Sequence, residues 1–279
     1  MAKILIIGVG PWSSKLAKAL SLEAGLEIKR IGARDFISNA SNSNLRTVDM
    51  IWICSTPAMQ IMILGLLVTL RSNCKIIIEK PYFTDIQEMT MLICTVEPIL
   101  GRIHLSEPWT FSRVWESFKQ DILCESKNQL IEITRGGPKT SHRFIAPQDW
   151  LPHDINLLSS LSRVTGHKLN FSNARWGKNN ENLSVSADLG EKIRIELNGG
   201  LYESKRVANW IIKLGLDKTV QLNFNRMTIV ETLKGSSQIT FQDNPVDQPL
   251  VNMATDILNS SAIATTLQGI SMHEILLPH

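Results

Sequence analysis

The chain has 279 residues, 43% of them apolar and 20% charged, which allows two ordinary domains with sizeable cores and excludes a disordered or fibrous chain. Its net charge is only +3 and its Lys and Arg are scattered, so neither a nucleic-acid footprint nor a membrane-surface patch is expected. Cys54, Cys74, Cys94 and Cys124 stand 20 or more residues apart, which excludes the close pairs of zinc ribbons and redox motifs; reduced thiols, no metal and a cytoplasmic location are expected.

Residues 3–7, KILII, form a short apolar run that GVGPWS follows at once, and a helical pattern continues through Leu16, Ala19, Leu20 and Leu22. This reads as strand, tight turn and helix rather than as a secretory leader. In a dinucleotide-binding unit Gly8 makes the turn and Gly10 lets the backbone approach a pyrophosphate at the helix N-terminus. Pro11 suits the first helical position, and Trp12 and Ser13 complete the loop. Ser13 stands where a third glycine is usual, so the motif by itself leaves a ligand-free Gly-rich turn open.

The second strand, LEIKRIG, runs into GARDF about 20 residues after the loop, where an NAD site carries an acid for the ribose 2′-hydroxyl. Ala33 and Arg34 offer no acid there, whereas the Arg34 guanidinium suits a 2′-phosphate in a forked contact. NADP is therefore expected over NAD, and Asp35, one step late, keeps NAD possible. Residues 50–70 are about long enough to cross a bilayer, but Ser55, Thr56, Pro57 and Gln60 interrupt them, so a buried strand, a turn and a buried helix are predicted.

KIIIEKP is the next strand, followed by a helix over DIQEMTMLICTV and a strand in GRIHLS. Such alternation predicts a parallel doubly wound sheet, a Rossmann domain spanning residues 1–124, with ligands beyond the carboxyl ends of its strands. STP, residues 55–57, and EKP, residues 79–81, fall at those ends. EKP is expected to expose Glu79 and Lys80 there; a lysine so placed can hydrogen-bond a substrate hydroxyl as its proton leaves, or be a solvated loop charge.

From residue 125 onward the pattern changes, and residues 125–279 are expected to form an α+β domain on a mainly antiparallel open sheet. QLIEITRGG reads as a strand and DINLLSSLSRVTG as a helix ended by Gly166. Five or six alternating runs from KLNFSNARW to MTIVETL read as a meander, and helical spacing returns from about Leu250. APQDWLPHDINLLSSL, residues 146–161, places Asp149 and His153 four residues apart with Asp154 next. An acid before an apolar run is an ordinary helix cap, but one helical turn between Asp and His also suits a paired acid/base site. Pro152 disfavours a helical Leu151, so the helix is predicted to begin near His153 with Asp149 in the preceding loop. Trp109, in SEPWTFS, is a candidate for the substrate side. His142 and Arg143 either meet an anionic substrate group or are solvated. Trp150, Trp176 and Trp210 either stack on a sugar or anchor packing.

With GVGPWS, GARDF, STP, EKP and DWLPHD in this order, the chain resembles the glucose-fructose oxidoreductase/inositol dehydrogenase/MocA family of NAD(P)-dependent oxidoreductases. The resemblance covers the first 165 residues by motif and the remainder by element pattern. It implies Lys80 as a catalytic lysine, His153 as the acid/base and Asp149 as its orienting or substrate-binding partner. It further implies a small-molecule substrate of sugar, cyclitol or nucleotide-sugar type, with a Trp109 loop near it. It also implies a homodimer or homotetramer built through the second-domain sheet. Ser13, and Ile61 where many relatives carry histidine, depart from the pattern. An imine reductase of the same fold, or a non-catalytic nucleotide-binding accessory or regulatory protein, are the alternatives.

Overall fold

The computed structural model of the chain describes residues 1–41, 45–124, 128–138, 144–202, 205–214, 217–243, 248–259, 262 and 264–278. It contains two compact units, Met1–Pro108 with Gln248–Glu274, and Trp109–Asp247 with Ile275–His279.

In the first unit, apolar runs alternate with helices that open on Gly or Pro, or in one case on Asp85. β1 (Ala2–Ile7) leads into α1 (Pro11–Leu20), β2 (Leu26–Ile31) into α2 (Ala33–Asn39), β3 (Met50–Ile53) into α3 (Pro57–Thr69), and β4 (Lys75–Ile78) into α4 (Ile86–Val96); β5 (Ile103–Leu105) closes the series. The strands pair in parallel in the order β2-β1-β3-β4-β5. Every residue of β3, MIWI, is buried, as a strand covered on both faces requires. Residues 50–70 are thus strand, turn and helix, and among the described residues no helix is long and apolar enough to cross a membrane.

The second unit opens with α5 (Arg113–Cys124), followed by β6 (Gln129–Gly137), α6 (Ala146–Trp150), α7 (Pro152–Thr165), β7 (Leu169–Trp176), β8 (Asn182–Leu189), β9 (Ile193–Leu201), β10 (Val207–Leu214), β11 (Lys218–Asn223), β12 (Thr228–Leu233) and β13 (Ser236–Gln242). These eight strands form one sheet in the order β13-β12-β11-β10-β6-β9-β8-β7. All neighbours are antiparallel except β6 and β9. The sheet is larger than the expected meander for two reasons. β13 is almost wholly exposed and polar, so its burial leaves no alternating trace, and β6 is inserted beside β9 from far upstream. Strict alternation survives in β8, where Leu183, Val185, Ala187 and Leu189 point inward. The helices lie on that inner face. The other face is mixed: Ile211, Val230 and Ile239 stand in register on it, beside Ser184 bonded to Asn198, Ser186 to Glu196, and Lys213 paired with Glu132.

Two segments depart from a division at residue 124. Helix α5 turns Val114, Trp115, Phe118 and Ile122 inward, and Trp115 meets Trp210 of β10 edge-on at 5.1 Å, so it belongs to the second core. In the opposite sense, α8 (Pro249–Leu258) and α9 (Leu267–Ser271) rejoin the first unit, where α8 packs on α1 and α9 on α4. Lys75 Nζ donates to the last carbonyls of α8, at Ile257 and Leu258, the favourable end for a cation. Thr265 exchanges hydrogen bonds with β5, its amide to the Ile103 carbonyl at 2.8 Å and its hydroxyl accepting from the Leu105 amide at 2.9 Å. That covers the open edge of the parallel sheet.

Candidate active site

The order β2-β1-β3 reverses the direction of the crossovers on either side of β1. In such sheets the crevice beyond the carboxyl ends of the strands at this point is where ligands bind. Two loops border it, Gly8–Gly10 after β1 and Cys54–Pro57 after β3. Gly8 adopts φ +150°, and a side chain there would run into the Cys54 carbonyl, so the close approach of the two loops requires glycine. Gly10 has ordinary extended angles, and a Cβ on it would meet nothing within 4 Å. Its missing side chain leaves room on the outer side, directly before the N-terminus of α1, which is the space and polarity a pyrophosphate needs. The loop therefore fits the phosphates of a dinucleotide.

The departure at Ser13 has a local explanation. Its buried hydroxyl donates to the Gly10 carbonyl at 2.8 Å and accepts from Arg30 Nη2 at 3.0 Å, so the side chain ties the loop to β2. Pro11 occupies the first helical position, and Trp12 is partly exposed with Lys15 Nζ 5.8 Å from its ring centre. Beyond β2 the chain enters α2 at once, so Ala33 and Arg34 lie in a first helical turn capped by Gly32, with Arg34 exposed. Burial, reinforced by the Glu79 charge, pushes the Cys54 thiol far up, which makes it a neutral side chain rather than a nucleophile.

At the end of β3, Ser55 and Thr56 are half-buried and Pro57 starts α3. The end of β4 differs from expectation. Glu79 is 4% exposed, and its Oε1 accepts from Trp52 Nε1 at 2.9 Å and from Ser106 Oγ at 2.8 Å. Its side chain serves the interior and presents no charge to a ligand, because a buried carboxylate needs donors and finds them there. Lys80 is half-buried, and Pro81 follows through a cis peptide bond. The buried Gln60 amide reaches the same turn. In the sequence Gln60 stands only as an interruption of an apolar run, and a single polar residue inside an otherwise apolar helix is the signal that marks it.

In the second unit the DWLPHD segment spans two helices that meet at Leu151, and the second starts at Pro152, beside His153 as expected. Asp149 lies in α6, not in a loop, and Leu151 takes φ −79°, ψ −17° even though Pro152 follows. Pro152 at the first position of α7 has no amide to lose, and the fully buried Leu151 side chain packs on Gly199, where no Cβ would fit. That packing offsets the crowding before proline. Asp149 and His153, both half-buried, thus sit on two short-linked helices. Asp154 has a different task from either. It is 0% exposed, accepts from Arg135 Nε at 2.5 Å through Oδ2 and from Trp210 Nε1 at 2.8 Å through Oδ1, and so pins the start of α7 to β6 and β10. The Arg135 guanidinium stacks 4.9 Å from the Phe224 ring centre, and Trp109 packs on the same ring at 5.2 Å. Trp150 lies against Gly137 with the Arg206 guanidinium 5.5 Å from its ring centre, and Trp210 is wholly buried as a packing anchor. His142 and Arg143 lie outside the described residues.

Neither a scan against protein-family models nor a search of curated proteins finds a match for this chain. Solved structures do match over nearly its whole length. A dehydrogenase (MviM) from Clostridium difficile has a TM-score of 0.76 at 14% identity, covering 99% of this chain and 97% of that one. UDP-N-acetylglucosamine 3-dehydrogenase GnnA from Acidithiobacillus ferrooxidans has a TM-score of 0.70 at 16% identity, covering 98% and 94%. A mutant 3-ketoreductase from Actinomadura kijaniata, in complex with TDP-benzene and NADP, has a TM-score of 0.72 at 14% identity, covering 99% and 95%. At such identities the likeness establishes the fold alone, a Rossmann-like unit with a second unit on a mostly antiparallel sheet.

Proposed function

We propose that the chain is an NADP-preferring oxidoreductase that moves a hydride to or from an oxygen-bearing carbon of a sugar, cyclitol or nucleotide-sugar-like molecule. One observation carries this reading: the Gly8–Gly10 loop, the Ser55–Pro57 turn and Lys80 all stand at the carboxyl ends of β1, β3 and β4, around the switch point of one parallel sheet. The names of the structural neighbours, which include a nucleotide-sugar dehydrogenase and a 3-ketoreductase bound to NADP, support the substrate class and the cofactor.

A nicotinamide cofactor, when bound, supplies the hydride donor or acceptor. Gly8, Gly10, Pro11, Trp12 and Ser13 would hold its pyrophosphate, and Ser55, Thr56 and Pro57 would contribute to the same cofactor site. Arg34 takes a 2′-phosphate and Ala33 leaves it room. Lys80 donates a hydrogen bond to the reacting oxygen, which eases departure of the hydroxyl proton in one direction and polarises the carbonyl in the other. His153 exchanges that proton, and Asp149 orients the histidine or binds a substrate hydroxyl. The first unit is the cofactor domain in this reading. The second holds the substrate, with Trp109 and Trp150 as candidates for its contacts, and self-associates through its open sheet face. Sedimentation of the chain as a monomer would remove that last element.

The test starts with NADPH and NADH titrations, then a panel of sugars, cyclitols and their nucleotide conjugates with turnover followed at the nicotinamide absorbance. Lys80→Met and His153→Ala each keep NADPH binding and lose about 100-fold or more in kcat. The double variant loses less than the product of the two, because both groups act on one proton. Arg34→Ala weakens NADPH by about 1.5 to 3 kcal/mol and leaves NADH unmoved. Tight NADPH binding without turnover on any alcohol, carbonyl or imine would instead assign an accessory role.

A further inference from the structure

We propose that Gln60 is the positioning residue for Lys80. The inference rests on the reading that Lys80 acts on the reacting oxygen. Gln60 is the one polar side chain between Pro57 and Val68, it sits in the first turns of α3, and it is 1% exposed. Its Nε2 donates to the Glu79 carbonyl at 2.8 Å, with the Pro81 carbonyl at 3.3 Å and the Ser55 carbonyl at 3.2 Å. Glu79 and Pro81 are the residues on either side of Lys80. An amide nitrogen carries two hydrogens, so the short Glu79 bond takes one and the two longer contacts share the other. One side chain therefore fixes the backbone on both flanks of the lysine and joins it to the Ser55 loop.

The orientation of this amide is dictated by its surroundings, since a flip would set Oε1 against three carbonyl oxygens. In the orientation adopted, Oε1 is buried with no hydrogen-bond partner among the described residues. A residue selected for helix packing alone would be apolar here, like Ile61, Ile63 and Leu64 beside it. A buried amide that leaves one of its own atoms unsatisfied in order to hold three carbonyls marks a turn whose geometry matters. The other side of the turn is held as well. The Glu79 carboxylate is anchored by Trp52 and Ser106, and the buried Tyr82 hydroxyl donates to the Ser106 carbonyl at 3.2 Å. Lys80 thus emerges from a backbone held at the carbonyls of residues 79 and 81, with the side chains of Glu79 and Tyr82 anchored beside it, which is how a flexible amine is held to one place.

Two variants and two readouts test this. Gln60→Leu removes the donor at similar volume, and Gln60→Glu makes it depend on protonation, with burial raising the pKa of the new carboxyl. The expected result for Gln60→Leu is a folded protein by circular dichroism with unchanged NADPH affinity and KM. Its kcat falls about tenfold or more, the scale of a reacting group displaced by a fraction of an ångström to an ångström. Gln60→Glu keeps turnover at about pH 6, where the acid donates, and loses it towards about pH 9, where a carboxylate faces carbonyls, a descending limb added to the wild-type profile measured alongside. Independently of any substrate, the pH dependence of Lys80 acetylation by acetic anhydride, read by mass spectrometry, shifts in both variants. If Gln60→Leu does not fold, Gln60→Glu decides. Wild-type kcat and wild-type Lys80 acetylation in the folded variants overturn the proposal. Full turnover in Lys80→Met overturns the reading of Lys80 instead, and the acetylation profile still judges whether Gln60 holds it.

Discussion

The Lys80 turn and the start of α7 solve the same problem, holding a short segment in place, by opposite means. Around Lys80 the anchors are hydrogen bonds spread over many atoms, from Gln60, Trp52, Ser106 and Tyr82. At α7 a single carboxylate, Asp154, is gripped by a buried guanidinium and an indole N–H. A distributed network gives way in steps, because each bond is worth only about 0.5 to 1.5 kcal/mol net, or about 1.5 to 3 to a charged group. A buried ion pair is close to all-or-none, since removing one partner strands the other charge in the interior. The two regions should therefore respond differently to mutation and to pH.

The largest effect falls on the ion pair. Asp154→Ala leaves Arg135, 4% exposed, and the Trp210 indole without their acceptor, and is expected to cost about 3 to 5 kcal/mol in urea denaturation. A loss below about 1 kcal/mol would mean that water reaches Arg135 and that the pair is not the anchor described here.

Acid acts next, and on the first unit. His273 is buried edge-on to Tyr82, with ring centres 4.8 Å apart, and burial lowers its pKa from 6.5 to about 3. The folded state keeps this imidazole neutral while the unfolded chain takes up a proton below about pH 6.5. Stability is therefore lost as pH falls from about 6.5 towards about 3, by about 1.4 kcal/mol for each pH unit. Between about pH 6.5 and about pH 4.5 that amounts to roughly 2 to 3 kcal/mol. His273→Leu should remove this component of the slope, and parallel stability-versus-pH curves for the two proteins would contradict it.

Ser106→Ala takes one of two donors from Glu79 and is expected to cost about 1 to 2 kcal/mol by the same denaturation assay, a step rather than a collapse. The smallest change should come from replacing the whole charged anchor. Arg135→Met, Asp154→Leu and Trp210→Phe together leave no polar group stranded and should lie within about 1 kcal/mol of the wild type. If the triple variant is as unstable as Asp154→Ala, the destabilisation comes from lost shape and not from stranded charge.

Local pattern was sufficient for the elements that repeat a period or end on a marked residue. KILII before GVGPWS, the buried runs of β3 and β4, Asp85 capping α4 through the Glu88 amide, and Gly166 ending α7 at φ +68° are all visible in short windows of sequence. Within the candidate site, the strand-end placement of the Gly8 loop, the 55–57 turn and Lys80 was legible in the same way, because a parallel α/β alternation puts every such turn on one edge. What sequence could not show were facts that depend on partners far along the chain. Glu79 beside Lys80 reads as a second exposed charge until Trp52 and Ser106, both 27 residues away, claim it. Asp154 reads as a cap or a second acid until Arg135 and Trp210 meet it from two strands.

By itself the sequence determined a parallel α/β half followed by a sheet-rich half, since helical and alternating periods are properties of neighbouring residues. Only the tertiary structure decided that α5 belongs to the second core, that α8 and α9 return to the first, and that β6 lies parallel to β9 in the middle of eight strands. An amphipathic helix specifies that one face must be buried but not which apolar surface will bury it, and a strand specifies a face but not its neighbour; those choices are made by packing across the whole chain.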